Sequence, residues 1–332
     1  MKLISFVVPC YNSQDYMEKC IDSLLEGGEE VEIIIVDDGS KDKTGKIADK
    51  YAVKYPSIIK VIHQPNGGHG EGINVGLKVA TGKYFKVIDS DDWVDKKALK
   101  AILKKVKKIN SDLIVMNYVY TYSDGRPPHQ INFKNVFKDK KEITWDEIGK
   151  FKTTQYLSLH SLMYKKSVLD KTKIKLPKHI SYDDNLFIYL PFINTKTVYY
   201  LDKDFYRYSI GREDQSVQES TLIRKSSDQV LVTKLVCNAY DLDTVKSKKL
   251  KKMMYRECVF LMGVAVVFTR LKFTPEAEKE YKQLWEDVKV GNPKLYKKMR
   301  FSLAGFVSMP GIIGRFIGVY SYKFAHSLVN FN

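Results

Sequence analysis

Apolar and polar segments alternate regularly over the first part of the chain. Four short apolar runs predict strands, namely LISFVVP, VEIIIVDD, IKVIHQ and KYFKVIDSDDW. Three segments between them place apolar residues on one helical face: SQDYMEKCIDSLLE, GSKDKTGKIADKYAVKY after an opening turn, and EGINVGLKVAT. A chain in which strands and helices alternate one by one forms a parallel sheet with helices on both faces. The second run is almost continuously apolar, as expected of a strand covered on both sides.

The pattern changes after residue 110. Further strands are predicted by DLIVMNYVYTY, HQINFKNVF and TVYYLDKDFYRYSI, the first two joined by the turn SDGRPP. The segment TWDEIGKF begins with a Thr144–Glu147 pair that matches a capping box. From about Leu222 the chain is predicted to be helical to its end. We therefore predict an α/β fold whose parallel sheet is flanked by helices, in two halves, 1–110 and 111–222, followed by a C-terminal helical region with a basic apolar tail, 223–332.

The net charge of the chain indicates which class of partner it favours. The 55 Lys and Arg residues exceed the 39 Asp and Glu residues, which gives a formal net charge of +16. Such an excess favours an anionic partner, although a lysine-rich composition of the kind that AT-rich genomes produce explains it equally well. In DKKALKAILKKVKK the lysines follow the polar face of an amphipathic helix, which is typical of a solvated face and argues against nucleic acid as the partner.

Several features favour the cytoplasm. The four cysteines lack CxxC spacing, which fits a reducing compartment and argues against a zinc site. The N-terminal MKLISFVVPCYN lacks the long apolar stretch and the cleavage site of a secretory signal. The run CVFLMGVAVVF is too short to cross a bilayer and predicts a buried helix.

The C-terminal segment 288–332 has an unusual composition. It contains no Asp or Glu, and basic residues from Lys289 to Lys323 flank the apolar stretch FSLAGFVSMPGIIGRFIGVYSY. Pro310, Arg315 and the glycines of this stretch disfavour a membrane span. A basic, aromatic and apolar segment predicts contact with an anionic membrane surface, which would make the protein peripheral at the inner face of the cell membrane. The alternative is a C-terminal helix that packs on the protein's own core.

Polar or glycine-rich residues follow each of the first four predicted strands. They are Pro9-Cys10-Tyr11-Asn12, Asp37-Asp38-Gly39-Ser40, the stretch from Gln64 to Gly70, and Asp89-Ser90-Asp91-Asp92. The carboxyl ends of parallel strands lie along one edge of a sheet, where open α/β folds bind ligands. Two nucleotide motifs do not fit, because GGHGEG lacks the third glycine of GxGxxG and GLKVATGKY departs from the Walker pattern.

The cluster of Asp89, Asp91 and Asp92 places three like charges within four residues. Carboxylates this close repel one another, so a compensating group is expected. A hard divalent cation would bridge these carboxylates to a diphosphate and stabilise its departure. The alternative is an acidic turn in which Asp92 or Asp95 caps the next helix.

Several ordered motifs together resemble a family 2 glycosyltransferase of the GT-A fold. They are SFVVPCYN, IIIVDDGSKDKT, PNGGHGEGINVGLKVATGKYFKVIDSDDW and YDDNLF. The resemblance is dense over about the first 110 residues and scattered to about residue 220, and it is to enzymes that build bacterial cell-surface polysaccharide or teichoic acid. It implies a mixed, Rossmann-like sheet flanked by helices, in which 1–110 is the nucleotide-sugar-binding half and 111–222 the acceptor-binding half. It also implies a UDP-sugar donor, a Mn2+ or Mg2+ ion, and inversion at the anomeric carbon.

The resemblance also implies roles for individual residues. The nucleotide-sugar site would comprise Pro9, Tyr11, Asn12, Asp38, Asn66, Gly67, Gly68, His69, Asp89, Ser90, Asp91, Asp92, Trp93, Arg207 and Arg212. Asp91 would be the main metal ligand, with Asp89 near the metal or the ribose. The family often has Ala-Arg-Asn where this chain has Gly72-Ile73-Asn74, so an expected Arg is missing at Ile73. His69 could compensate for it, or could be a loop histidine without a role.

Transfer to a sugar hydroxyl also needs a base. The resemblance assigns this role to Asp184 in ISYDDNLFIYLPF, with Asp183 positioning the acceptor or the helix, whereas a helix N-cap pair is the alternative. Arg207 and Arg212 would contact the diphosphate, because the guanidinium group suits bidentate binding of phosphate. The alternative is that both arginines form surface salt bridges. Trp93 would floor the sugar pocket or belong to the core.

These observations favour an inverting glycosyltransferase. It would move a sugar from a UDP-sugar to a hydroxyl of a cell-surface glycan or lipid-linked acceptor in a single displacement. The acidic cluster and the +16 charge also permit a metal-dependent nuclease or nucleotidyltransferase. A non-catalytic nucleotide-sugar-binding subunit is the third possibility.

Overall fold

The computed structural model describes residues 2–153, 155–211 and 219–309, with 311, 314, 316, 318 and 320 beyond them. The chain divides into two compact units, Met1–Arg212 and Glu213–Asn332. The first unit is built around one mixed β-sheet, and the second is helical.

The first unit contains a ten-stranded sheet. Its strands are β1 Ile4–Cys10, β2 Val31–Asp37, β3 Ile59–His63, β4 Tyr84–Val87, β5 Trp93–Val94, β6 Leu113–Tyr122, β7 His129–Ile131, β8 Glu142–Thr144, β9 Leu162–Lys165 and β10 Thr197–Ile210. The order is β3-β2-β1-β4-β9-β6-β10-β5, with β7 beside β6 and β8 beside β10. Strands β1 to β4 pair in parallel, as their alternation with helices predicted, whereas β9 runs antiparallel to both β4 and β6.

Helices pack against this sheet. They are α1 Met17–Leu25, α2 Thr44–Lys54, α3 His69–Val79, α4 Lys96–Val106, α5 Lys166–Thr172 and α6 Asp184–Tyr189. Every residue of β1 and β2 is buried, which explains why their sequences are almost continuously apolar. Asp95 caps α4 by accepting a hydrogen bond from the backbone N–H of Ala98 at 2.9 Å. The Thr144–Glu147 capping box is also present and begins a short 3-10 turn.

The prediction of a strand throughout HQINFKNVF is wrong in its second half. The strand ends at Ile131. Phe133, Val136 and Phe137 are buried, and the backbone N–H of Val136 donates to the carbonyl of Phe133 at 2.8 Å. Apolar residues spaced three and four positions apart face the same side when the backbone turns, whereas a strand would bury every second residue.

The second unit consists of helices in its described part. They are α7 Glu219–Arg224, α8 Ser226–Asn238, α9 Lys248–Arg270, α10 Pro275–Gly291, α11 Pro293–Arg300 and α12 Leu303–Val307. The run CVFLMGVAVVF lies within α9, as predicted for a buried helix. The fully buried Arg270 closes this helix and donates hydrogen bonds to the carbonyls of Val307 (2.7 Å) and Met309 (2.8 Å). Among the described residues, no helix is both long enough and apolar enough to span a membrane.

Candidate active site

The loops that follow β1, β2 and β4 are joined by hydrogen bonds. The hydroxyl groups of Ser13 and Ser90 lie 2.9 Å apart. The backbone N–H of Asn12 donates to Ser40 Oγ at 3.0 Å, and Asn12 Oδ1 accepts from the backbone N–H of Lys41 at 2.8 Å. These bonds bring the carboxyl ends of the three strands together, as the parallel order of the strands predicted.

Asp38 fixes the glycine-rich loop after β3. Its carboxylate accepts hydrogen bonds from the backbone N–H groups of Gly67 and Gly68, both at 2.8 Å. The side chain of Asn66 donates to the carbonyl of Asp38 at 2.9 Å. Gly68 has a φ of 85°, and a Cβ there would lie 2.9 Å from the backbone nitrogen of His179, so glycine is required at this position. The buried carboxylate of Asp38 is thus engaged with this loop.

Asp92 is tied to β10 through both of its carboxylate oxygens. The Tyr206 hydroxyl donates to Asp92 Oδ2 at 2.6 Å and accepts from the backbone N–H of Asp89 at 3.1 Å. The backbone N–H of Ser209 donates to Asp92 Oδ1 at 2.8 Å. Burial, followed by the charges of Asp91 and Asp89, raises the pKa of Asp92 well above its usual value. Asp92 therefore holds the acidic loop in place, while Asp91 is only half-buried.

His160 lies beside Asp89, although the sequence did not predict a role for it. Its Nε2 is 3.7 Å from Asp89 Oδ2, and its ring stacks on Tyr208 with a centroid distance of 4.3 Å. Asp89, Asp92 and His160 each contribute one potential ligand atom, and these three atoms lie within 4.8 Å of one another. Because carboxylate oxygens suit hard cations, Asp89 and the adjacent Asp91 fit a divalent metal ion with His160 beside them, while both oxygens of Asp92 accept hydrogen bonds from β10. His160 reaches the cluster because β9, which follows it, pairs with β4.

His69 joins the acidic cluster to the Asp183–Asp184 pair. Its Nε2 lies 3.1 Å from Asp89 Oδ1, and its Nδ1 lies 3.0 Å from Asp183 Oδ2. Burial alone would lower the pKa of His69, but the carboxylates of Asp183 and Asp89 raise it well above its usual value. Burial would likewise raise the pKa of Asp89, but His160 and His69 hold it well below its usual value. The two carboxylates, which are distant in sequence, thus favour the cationic form of the imidazole that lies between them.

Asp184 is the first residue of α6 and is half-buried. Burial and then the charge of Asp183 raise the pKa of Asp184 to about 7. A base whose pKa is near the working pH balances its ionised fraction against its proton affinity, which is the property that a general base needs. Tyr182, two residues earlier, has a φ of 64°, a left-handed conformation that is unfavourable for a bulky residue and is found preferentially at functional sites.

The segment before Asp183 packs directly on α3. The side-chain amide of Asn74 donates to the carbonyl of Leu176 and accepts from its backbone N–H, both at 2.9 Å. A Cβ on Gly70 would lie 2.9 Å from Asp183 Oδ2, so the carboxylate passes over this glycine. Ile73, which replaces the expected Arg, is buried in the same region at 1% exposure.

Of the remaining predicted residues, Arg207 and Trp93 contact charged side chains of this unit. Arg207 forms an ion pair with Asp95 at 3.0 Å, and the ammonium group of Lys19 lies 3.0 Å from the ring centroid of Trp93. Tyr11 is half-exposed at 50%, and Pro9 is buried in β1. Arg212 lies outside the described residues.

Comparisons with known proteins assign the family. The model for Glycosyl transferase family 2 matches residues 5–172. Glycosyltransferase GlyG of Streptococcus pneumoniae serotype 4 is 27% identical over 314 residues, which cover 92% of this chain and 96% of GlyG. EpsJ of Bacillus subtilis, an uncharacterized glycosyltransferase, is 31% identical over 62% of this chain and 60% of its own length. The crystal structure of Staphylococcus aureus TarS 1–349 in complex with UDP has the same fold, with a TM-score of 0.69 at 22% identity over 98% of this chain and 92% of that one. Because the family model covers more than half of its length, the chain belongs to glycosyl transferase family 2 and is a glycosyltransferase.

Proposed function

We propose that this glycosyltransferase moves a sugar from a UDP-sugar to a hydroxyl of a cell-surface glycan or lipid-linked acceptor, with inversion at the anomeric carbon. Membership of the family decides against the nuclease and nucleotidyltransferase alternative. One observation carries the proposal: His69 bridges Asp89 and Asp183, so a carboxylate cluster suited to a metal-bound diphosphate adjoins the candidate base Asp184. A half-buried carboxylate with a pKa near 7 beside this cluster favours a catalytic role over that of a subunit that only binds nucleotide-sugar.

A UDP-linked donor is supported by the shared fold. TarS has been crystallised with UDP and with UDP-GlcNAc. We place the uracil and ribose at Pro9, Tyr11 and Asn12, where the half-exposed ring of Tyr11 can stack on a base. Asp38 would act through the loop of Asn66, Gly67 and Gly68, which its carboxylate and carbonyl hold.

We assign a Mn2+ or Mg2+ ion to Asp91 and Asp89, next to Ser90 and His160. Such an ion supplies positive charge that stabilises a departing nucleoside diphosphate. The protein's own contribution is to keep these ligands in position. Asp92, held by Tyr206 and Ser209, fixes the loop that carries Asp89 and Asp91.

The transfer itself would be a single displacement. Asp184 takes the proton of the acceptor hydroxyl as that oxygen attacks the anomeric carbon, and the bond from this carbon to the diphosphate oxygen breaks. Asp183, held by His69, would position the acceptor or the start of α6. Arg207, Arg212 and Trp93 remain proposed contacts of the donor.

Binding of UDP tests the donor site. In the presence of Mn2+, calorimetry should show UDP binding that Asp91→Asn weakens by about tenfold or more, as the loss of a charged metal ligand would cost. Asp170→Asn is the matched control, because Asp170 is exposed on α5 and pairs with Lys166. Equal affinity for UDP in wild type and Asp91→Asn, or Mn2+-independent binding, would remove the metal site from the proposal.

We also propose that the C-terminal segment contacts an anionic membrane surface. Phe301, which follows α11, and Leu303 and Phe306 of α12 are exposed at 94%, 70% and 48%. They lie beside the exposed Lys297, Lys298 and Arg300. Arg315 and Lys323 of the predicted segment lie outside the described residues. Apolar side chains next to lysines suit an interface with anionic lipid.

Flotation with vesicles tests this contact. The wild-type chain should float with phosphatidylglycerol vesicles more than with phosphatidylcholine vesicles. A chain that ends at Met299, and a Phe301→Ser, Leu303→Ser variant of the full chain, should lose this preference. Flotation that neither change alters would exclude the membrane contact at these residues.

A further inference from the structure

An aromatic surface extends along β6 and β10, away from the residues proposed to hold the nucleotide. We call it the tyrosine face, and it consists of Tyr118, Tyr120, Tyr122, Tyr206 and Tyr208. The two strands pair in parallel, with Tyr118 opposite Tyr206 and Tyr120 opposite Tyr208. Because side chains alternate along a strand, these tyrosines share one side of the sheet. Ring centroids of Tyr118 and Tyr120 lie 5.4 Å apart, and those of Tyr120 and Tyr208 lie 5.5 Å apart.

The tyrosine face begins at the candidate active site. Its inner end is buried, since Tyr206 is inaccessible and donates to Asp92. Tyr208 stacks on His160, whose Nε2 lies 3.7 Å from Asp89. The 3-10 turn that carries His160 also packs against α6, the helix that begins with Asp184. A ligand on the tyrosine face would therefore adjoin both the acidic cluster and the candidate base.

The outer end of the tyrosine face reaches solvent. Tyr120, Tyr122 and Tyr208 are half-buried, and the exposed His129 of β7 stacks on Tyr120 at 6.2 Å. This end lies at the carboxyl ends of β6 and β10, where α/β sheets bind ligands. Half-exposed aromatic rings in a row are a surface that a ligand with an apolar face can cover.

The order of the strands separates this surface from the residues proposed to hold the uracil and ribose, whereas Arg207, a proposed contact of the diphosphate, lies on β10 itself. In the sequence β2-β1-β4-β9-β6-β10, the nucleotide residues follow β1 and β2, and Asp89 follows β4. The tyrosine face lies on the opposite side of β4, on β6 and β10. Donor and tyrosine-face ligand would thus meet at Asp89 from two sides, as the two substrates of a direct displacement must.

We infer that the tyrosine face binds a pyranose ring of the acceptor; this inference rests on the proposed function. The C–H groups on one side of a pyranose form an apolar face that packs on aromatic rings, while its hydroxyls stay free for hydrogen bonds. Binding of a polyol phosphate would instead require basic side chains that are free to pair with the phosphate. Among the residues that the structure describes at the outer end, the cation is Arg126, which lies 4.3 Å above the ring of Tyr122 and forms an ion pair with Asp124 at 2.8 Å, so its charge is already compensated.

The experiment uses the full chain with Mn2+ and two kinds of probe. The cyclic probes are the methyl β-pyranosides of glucose, galactose and N-acetylglucosamine, and the acyclic probe is ribitol 5-phosphate. Binding is measured by saturation-transfer NMR in the presence of UDP, and transfer by UDP release from a panel of UDP-sugars. The variant is Tyr122→Ala. Tyr122→Phe keeps the ring as a matched control, and Tyr55→Ala removes a half-buried tyrosine at the end of α2.

We expect at least one pyranoside to bind and to accelerate UDP release. Tyr122→Ala should raise the KM for that pyranoside about fivefold, the size of one aromatic contact, and leave the KM for the UDP-sugar near that of wild type. Tyr122→Phe and Tyr55→Ala should resemble wild type.

Three results would overturn the inference. They are NMR that detects no pyranoside, acceleration by ribitol 5-phosphate alone, and a Tyr122→Ala variant whose KM rises for the UDP-sugar and not for the pyranoside. A wild-type chain that binds pyranoside but releases no UDP from any UDP-sugar would leave the tyrosine face as a sugar site and refute the proposed function instead.

Discussion

Replacing Asp184 by Asn removes the proposed base and keeps the size of the side chain. Burial and the neighbouring Asp183 raise the pKa of Asp184 to about 7. About one-tenth of the carboxyl is then ionised at pH 6, about half at pH 7 and about nine-tenths at pH 8. Since only the ionised form takes a proton, the wild-type rate should fall about tenfold per pH unit well below pH 7 and level off above about pH 8. Asp184→Asn should lower kcat by about 10²–10⁴-fold, the usual contribution of a general base.

The assay is the initial rate of sugar transfer, followed as UDP release between about pH 5.5 and 8.5 at constant ionic strength. Asp170→Asn, an exposed acid on α5, controls for the loss of one negative charge. Calorimetry with UDP separates catalysis from binding, since Asp184→Asn should bind UDP like wild type. An Asp184→Asn variant within about threefold of the wild-type rate, or one that keeps the same acidic limb, would show that another group is the base.

Two further predictions concern the packing around the site. Gly70→Ala should lower kcat and the unfolding temperature, because a Cβ there would lie 2.9 Å from Asp183 Oδ2. Gly263→Ala on α9 is the control: its Cβ would have no atom within 4 Å, so the change should stabilise the chain by about 0.5–1 kcal/mol. Thermal unfolding of both variants checks this, and equal shifts would refute it. Tyr206→Phe should destabilise the first unit by about 2–3 kcal/mol, because the buried Asp92 Oδ2 loses a donor and the partly buried backbone N–H of Asp89 loses its acceptor. Urea unfolding followed by tryptophan fluorescence measures this, and a midpoint equal to that of wild type would contradict it.

The first four strands and helices could be predicted because local periodicity determines them. Each strand of this region is a short apolar run, and each helix has one apolar face. The meeting of the strand-end loops could also be predicted, because parallel strands place their carboxyl ends at one edge. The local pattern alone also predicted the strand Thr197–Ile210 and the capping box at Thr144, and the structure confirms both.

The contacts that shape the site depend on tertiary structure and left no local signal. Strand β9, Leu162–Lys165, has three consecutive buried residues and is too short for alternation to identify it. Its pairing with β4 brings His160 to Asp89, which no motif around His160 indicates. The bridge from His69 to Asp183 and the capture of Asp92 by Tyr206 join residues more than a hundred positions apart. Residue types predicted which side chains could act in catalysis or metal binding, but not which of them form hydrogen bonds or ion pairs with one another.

The measurement that tests the central claim most directly is UDP release from UDP-glucose, UDP-galactose, UDP-GlcNAc and UDP-GalNAc, each with Mn2+ and with EDTA. The account predicts release from at least one of these donors, dependence on the metal, and loss of release in both Asp91→Asn and Asp184→Asn. Release from none of them, or equal release with Mn2+ and with EDTA, would contradict the assignment of a metal-assisted UDP-sugar transferase.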